Sequence, residues 1–542
     1  MDSFNNRRGP VYAKHGLACS SQPPAAVVGR DILKAGGNAA DAAVAMAAMV
    51  NVTEPMMNGL GGDSFMLVHW QGEFHGLNAS GRSGSRCTIP ALQAAGFDAM
   101  PADGGATVTV PGALDGYLAL HEKFGSMDLA DLLEPAAQHA AEGFPVGLKI
   151  SLAWAWGASK LQRFSPDDES YLPGGQPPLA GHIFAQTDLA ATWRKIGKAG
   201  RSGFYEGEIR DKILEVLSRH GGLLDASDFE PIQAEWVEPL SSHYRGYQVL
   251  ELPPNGQGIV VLMALRILEK FNMQSLFESD PTRASHLILE ALKLAFADAT
   301  QAVGDPGFSP IPVDRLLSNS YIHNRAALID PDRALDNPTA GRIYGDTTYF
   351  TVMDKDHNAV SLITSISDVF GSGIIVPGTG IILHNRGADF VMNEGHPNAA
   401  APGKRVRHTI LPAMLLNMDG SLRMSFGCMG ANMQPQGQVQ ILINLIDRGM
   451  NLQEALDAPR VRALDGRRIR VEPHPEIPDL AERLAAMGHI PVQGEKVPAD
   501  WMLPHDFMRT FEGSAQAIQI EPGGHSICGA SDPRLDGIAC PA

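Results

Sequence analysis

Apolar and polar positions along the chain alternate between two periods. Ala25 to Ala35 is one amphipathic run stopped by Gly36-Gly37, the combination that ends a helix. Ala39 to Val50 is then almost entirely Ala, Val and Met, with Asn38 or Asp41 placed to cap it. A helix of small residues with no polar face packs closely on most sides, so this one is expected at the centre of the molecule. Gly59-Leu60-Gly61-Gly62-Asp63-Ser64 reads as a tight turn into the strand Phe65 to Trp70. Val108 to Ala113 opens a helix carrying Leu114, Leu118 and Leu120 and closed by Phe124-Gly125. Threonines and aromatics from Thr347 to Val352, the polar turn Asp354 to Asn358, and Ala359 to Thr364 read as strand, turn, strand. Strands and helical runs alternate throughout, which places the chain in a mixed α/β (α+β) class. Ser165 to Gln186 is rich in Pro and Gly, and Asp330 to Arg342 is a polar connection just before Thr347. No internal repeat or low-complexity tract interrupts the pattern.

The 542 residues suffice for several ordinary domains or one large two-part fold. A hydrophobic content of 44% with 19% charged residues fits a soluble globular enzyme. The 43 basic against 60 acidic residues, net −17, argue against general nucleic-acid binding, which needs a basic footprint. No apolar run reaches the length of a membrane span. Met1 to Gly16 is polar and no apolar stretch follows, so no secretory signal is visible and a cytoplasmic location is expected. Cys19, Cys87, Cys428, Cys528 and Cys540 are odd in number and widely spaced, the pattern of free thiols rather than of a disulfide framework or a zinc site. His384, His396 and His408 do not stand at ligand spacing with carboxylates, so neither a metal nor a cofactor is expected. By pattern alone Thr347 is the head of an edge strand, Arg82 a solvated charge, and Gly427 to Asn432 a glycine turn.

The stretch from Asp346 to Val360 resembles the cleavage-and-nucleophile segment of the γ-glutamyltranspeptidase family. Gly36 to Ala45 is close to that family's N-terminal signature. Gly203 to Gly207, Leu252 to Gly258, Glu290 to Asp298, Gly513 to Ile518 and Gly529 to Gly537 also resemble it, as structural segments. The resemblance implies a four-layer αββα sandwich of the N-terminal nucleophile type, self-cleaved between Asp346 and Thr347. The parts would be a large subunit, 1–346, and a small one, 347–542, held together as a heterodimer, with a dimer of heterodimers as a further level. The freed Thr347 would then supply both the attacking Oγ and, through its own α-amine, the base. An α-amine titrates at roughly 7.7–8.0, close to working pH.

The resemblance also assigns supporting parts. Ser365 stands where the family has a hydroxyl that supports the nucleophile. Gly430 and Ala431 take the two oxyanion positions, Ala replacing a second Gly. Arg82 matches an Arg that holds the donor carboxylate, a task suited to a planar guanidinium. Elsewhere the chain departs from the pattern. Ser367 and Arg386 stand where the family places groups for the donor's α-amine, and only Asp389 is kept. His408-Thr409 replaces a serine pair. A guanidinium repels an ammonium and attracts a carboxylate, so Arg82, Arg386 and His408 about one pocket favour an anionic acyl group without an amine. The Asp389 to His408 stretch is about ten residues shorter than in family members that carry a loop over the pocket, which favours hydrolysis over transfer. These features resemble a lidless side branch that includes oxamate amidohydrolase. The expected function is a self-processing amidohydrolase for γ-glutamyl or related anionic acyl amides. Two alternatives stay open: an oxamate or dicarboxylic-acid acylase without γ-glutamyl preference, and an uncleaved protein that only binds small anionic amides.

Overall fold

The computed structural model describes residues 8–336, 346–492 and 512–542. Two seven-stranded antiparallel sheets form its centre. Their strands are β1 (Val11–Ala13), β2 (Gly16–Ser20), β3 (Asp63–Trp70), β4 (Glu73–Ala79), β5 (Glu235–Val237), β6 (Leu240–Tyr244) and β7 (Tyr247–Glu251). They continue with β8 (Asp346–Asp354), β9 (Ala359–Ser367), β10 (Pro412–Leu416), β11 (Leu422–Cys428), β12 (Ala515–Ile520), β13 (Ile527–Ser531) and β14 (Ile538–Pro541). One sheet runs β1-β13-β12-β11-β10-β7-β6 and the other β14-β2-β8-β9-β3-β4-β5.

Three apolar clusters separate four layers. Leu17, Phe65, Tyr349, Ile363, Met414 and Ile518 fill the space between the sheets. The outer face of the β8 sheet, including Met66, Phe350 and Leu362, packs on helices α1 (Pro23–Lys34), α2 (Ala39–Thr53), α3 (Ala113–Phe124) and α4 (Leu129–Glu142). The outer face of the other sheet, including Val249, Ala413 and Phe426, packs on α5 (Gly258–Leu268), α6 (Pro281–Ala302) and α7 (Met433–Ile446). The molecule is therefore an αββα sandwich, as expected. All fifteen residues of α2 are buried, and Asn38 with Asp41 closes a capping box at its start.

The β8–β9 hairpin is made locally. The Asp354 carboxylate accepts the N–H groups of Asp356 and Asn358, at 2.9 and 3.0 Å, and its other oxygen accepts the Ala39 N–H at 3.2 Å, docking the turn on the start of α2. Strands before and after residue 346 interleave in both sheets. In particular β8 lies between β2 and β9, and β9 pairs with β3 on its other side. The five cysteines are free and buried. Among the described residues no helix is long and apolar enough to cross a membrane.

Candidate active site

Thr347 stands where the β8–β9 ladder loses register. Asp346 pairs with Ser367 and Thr348 with Thr364, so two residues, Ser365 and Ile366, lie opposite Thr347. An irregularity of this kind re-aims a side chain. The Thr347 hydroxyl is buried, 3.5 Å from Ser365 Oγ, and accepts a hydrogen bond from Gln434 Nε2 at 3.2 Å. Ser365 Oγ also accepts the Ser367 N–H at 2.8 Å and an N–H of Arg386 at 3.3 Å. Gln434 belongs to the first turn of α7, and its N–H returns to Ala431 O. Just before that helix, no hydrogen bond from the N–H groups of Gly430 and Ala431 is found among the described residues, while their carbonyls accept the N–H groups of Met433 and Gln434.

Ala431 has φ 50°, in the left-handed region. An L-residue pays steric energy there that glycine does not. Ala431→Gly should therefore raise unfolding stability by about 0.5–1 kcal/mol while keeping the N–H. Urea denaturation of the two chains measures this, and a less stable variant would contradict it.

Beneath Ser365 lies a buried charged hub in which Arg386 and His408, both expected at the site, meet on Asp63, which the sequence did not single out. Asp63 heads β3, just after the Gly59 to Gly62 turn. A Cβ on Gly61 would meet Ile382 O at 2.1 Å and one on Gly62 would meet Ser365 O at 2.3 Å, so the glycines serve close backbone approach beside the site. Asp63 Oδ1 accepts the Gly81 N–H at 2.8 Å, and Oδ2 lies 2.9 Å from His408 Nε2, 3.3 Å from His384 Nδ1 and 3.8 Å from Arg386 Nε. Burial alone would raise this carboxyl, but the imidazoles of His384 and His408 outweigh it and hold Asp63 well below the usual carboxylate range. Burial, aided by Arg386, lowers the His408 imidazole to about 3. Neutral His408 donates Nε2–H to Asp63, and its Nδ1 accepts the Ile410 N–H at 3.3 Å.

The expected binding residues divide between two places. Arg386 begins a short turn, Arg386–Asp389, and is 2% exposed. Its Nη1 reaches Thr409 Oγ1 at 3.2 Å and Asp389 Oδ2 at 3.4 Å, and its Nε makes no hydrogen bond among the described residues. Ser367, at φ 80°, adjoins this group through its N–H. Thr347, Ser365, Ser367, Arg386, Asp389, His408 and Thr409 thus form one connected cluster. Arg82 is not joined to it. Arg82 is about one-third exposed, 3.6 Å from Asp305 and 3.8 Å from Glu235, and donates to Gly403 O at 3.3 Å. The connection after Asp389 folds back on itself, with Asn398 Nδ2 donating to Asp389 O at 2.6 Å and Lys404 Nζ to Ala399 O at 2.9 Å.

On the opposite face of β8 the Thr348 hydroxyl donates to Glu54 Oε2 at 2.5 Å and accepts from Asn58 Nδ2 at 2.7 Å. Ser21 Oγ and Gln22 Nε2 also donate to this carboxyl, at 3.1 and 2.9 Å. Burial raises Glu54 to about 7, against the hydrogen bonds from Thr348, Gln22 and Ser21. The folded state then holds the proton where the unfolded chain has lost it, so this residue's contribution to stability falls as pH rises from about 4.5 to 7. Across that window the stability difference should move by about 3 kcal/mol in favour of Glu54→Gln over the parent. Denaturant midpoints at several pH values report it, and parallel curves would refute it. The signal for Glu54 was a carboxylate inside an apolar stretch, and for Gln434 the buried glutamines 434, 436, 438 and 440 of α7.

Away from this site, among the described residues, the ligand atoms of His286, Glu290 and His489 lie within 4.8 Å of one another. The Lys293 ammonium lies 2.8 Å from Glu290 Oε1 and 3.3 Å from His489 Nδ1, and His286 Nδ1 is 2.8 Å from His489 Nε2. Lysine supplies the positive charge there and the ring nitrogens are engaged in hydrogen bonds, so the group reads as an ion-paired network.

Two stacked antiparallel sheets flanked by helices on both outer faces are the architecture of the N-terminal-nucleophile class of hydrolase fold. The gamma-glutamyltranspeptidase family model matches residues 25–542, and the chain belongs to that family of enzymes. It is 36% identical to a glutathione hydrolase-like proenzyme of Bacillus subtilis (YwrD), covering 98% of this chain and 97% of that one. It is 33% identical to the oxamate amidohydrolase proenzyme of Klebsiella pneumoniae, covering 97% and 98%. The structure of a cephalosporin acylase from Bacillus halodurans superposes with a TM-score of 0.91 at 38% identity, covering 100% and 99% of the two chains.

Proposed function

We propose that the protein is a self-processing amidohydrolase that cuts its own chain between Asp346 and Thr347 and then forms an acyl-enzyme on Thr347. The observation that carries this reading is the Thr347 hydroxyl at the irregularity of β8, 3.5 Å from Ser365 Oγ and 3.2 Å from Gln434 Nε2. In the continuous chain the Thr347 nitrogen is an amide and has no basic lone pair. Attack of Thr347 Oγ on the Asp346 carbonyl breaks the peptide bond, transfers the proton to the departing nitrogen and leaves an ester. Water cleaves that ester, giving fragments 1–346 and 347–542 and a free α-amine. The interleaved strands keep the two pieces one folded unit.

In the processed enzyme the α-amine takes the Thr347 hydroxyl proton as Oγ attacks a substrate amide, and the Gly430 and Ala431 N–H groups receive the oxyanion. The amine leaves with that proton and water releases the acid. Arg386 offers the acyl group's carboxylate its guanidinium charge, with an Nε that lies 3.8 Å from Asp63 Oδ2 and makes no hydrogen bond among the described residues. Arg82, outside this cluster and already paired with Asp305 and Glu235, would contribute by exchanging those partners for substrate. The favoured substrates are small amides with a carboxylate on the acyl side and no required amine, in keeping with relatives that include an acylase and an oxamate amidohydrolase.

One observation favours a second reading. Arg386 is flanked by two carboxylates, Asp63 at 3.8 Å and Asp389 at 3.4 Å, and the excess negative charge would suit the α-ammonium of a γ-glutamyl donor. Initial rates on oxamate, succinamate, glutaryl 4-nitroanilide and γ-glutamyl 4-nitroanilide separate the two. Faster turnover of the amine-free amides supports the first reading, and exclusive turnover of the γ-glutamyl compound supports the second. Binding of these amides by a chain that stays whole and turns over none of them would make it a binding protein instead.

A further inference from the structure

We propose that Glu54 is a positioning residue for the nucleophile: its buried carboxylate holds the Thr348 hydroxyl and so aims Thr347 at Ser365, Gln434 and the Gly430–Ala431 loop. The proposal rests on Thr347 being the reacting residue. Its basis is the poverty of backbone restraint at the head of β8. On one side, β8 pairs with β2 only from Phe350, opposite Ser20, onward to Asp354. On the other, the ladder with β9 breaks between Asp346 and Thr348. Thr347 therefore lies where neither neighbour strand pairs with it, and Thr348 is paired on the β9 side alone, opposite Thr364.

Glu54 fills that gap. Just past the C-terminal end of α2, it gathers Ser21 and Gln22, the two residues that follow β2, together with Thr348, on one carboxylate. Asn58 closes the group by donating to Thr348 Oγ1 at 2.7 Å and accepting from Asn51 Nδ2 at 2.5 Å. Successive side chains of a strand point to opposite faces. Fixing Thr348 toward α2 therefore fixes Thr347 toward the other sheet. The neighbours of the Glu54 carboxylate from α1, α2 and β8 are neutral donors, and the charged group acting on it is Asp536, in the turn before β14, which is also acidic. The ionised carboxylate accepts all three donors. Protonated, it must give up an acceptor site, so its hold on Thr348 weakens as pH falls.

Self-cleavage tests this without any substrate. The full chain is made by cell-free synthesis, and splitting at 346/347 is followed on denaturing gels from pH 5.5 to 8.5, with melting curves as a check on folding. Thr348→Val, which keeps the shape and removes the hydroxyl, should slow splitting at least tenfold at pH 8. Thr348→Ser should restore it. Glu54→Gln keeps an acceptor for Thr348 but cannot ionise, so it should lose the parent's fall in rate between pH 8 and 6. Should Thr348→Ser prove as slow as Thr348→Val, or all three variants match the parent in rate and pH profile, the proposal is overturned. A parent chain that never splits removes the Thr347 reading and this proposal together, whereas normal splitting in all three variants removes this proposal alone.

Discussion

Thr347→Ala should yield a single uncut chain of 57.9 kDa with no measurable amide hydrolysis. Alanine removes the only atom in the proposal that attacks either carbonyl. Without the first attack the peptide bond survives, and without cleavage no α-amine forms. Both steps should therefore fail together, by the many orders of magnitude that separate an enzyme from background. Denaturing electrophoresis and mass spectrometry of purified parent and variant measure the outcome. Two bands from the variant, cut after Asp346, would rule out Thr347 as its own cleaving agent. Thr347→Ser retains a hydroxyl and should retain both activities at reduced rate, which distinguishes chemistry from misfolding.

Arg386→Gln should shift substrate choice from amine-free dicarboxylic monoamides toward γ-glutamyl amides. A hydrogen bond between a guanidinium and a carboxylate contributes about 1.5–3 kcal/mol. Losing it should therefore lower kcat/KM for a glutaryl amide by about 10–100-fold. The γ-glutamyl amide loses the same carboxylate contact but also escapes repulsion of its ammonium, and Asp389 stays available to pair with it. The ratio of kcat/KM for γ-glutamyl over glutaryl 4-nitroanilide is the quantity to follow. An unchanged ratio would exclude Arg386 as the residue that selects the acyl group. Arg386→Lys keeps the charge that offsets Asp63 but not the planar fork. It should preserve stability while losing part of the preference.

Elements built from neighbouring residues were legible in the sequence. The Asp354 to Asn358 turn, the two strands it joins, the small-residue helix with its Asn38 cap and the glycine turn before Asp63 all follow from interactions spanning a few positions. Ser365 was named by family resemblance alone, although the hairpin that brings it face to face with Thr347, eighteen residues earlier, is a local structure. Family resemblance added the αββα architecture and a set of candidate site residues, among them Arg386, Asp389, His408 and Thr409. It did not indicate that Arg82 would be held by Asp305 and Glu235, apart from that cluster.

Periodicity, caps and turns act locally, so the sequence by itself determined the strands and the helices. The charged arrangement was decided only by tertiary structure. Asp63 and His408 meet across 345 residues, and Glu54 and Thr348 across 294. Nothing near any of these residues in the chain specifies its partner. A buried charge must find a counter-charge or donors wherever the fold brings them. Packing two sheets between helices settled which groups these would be.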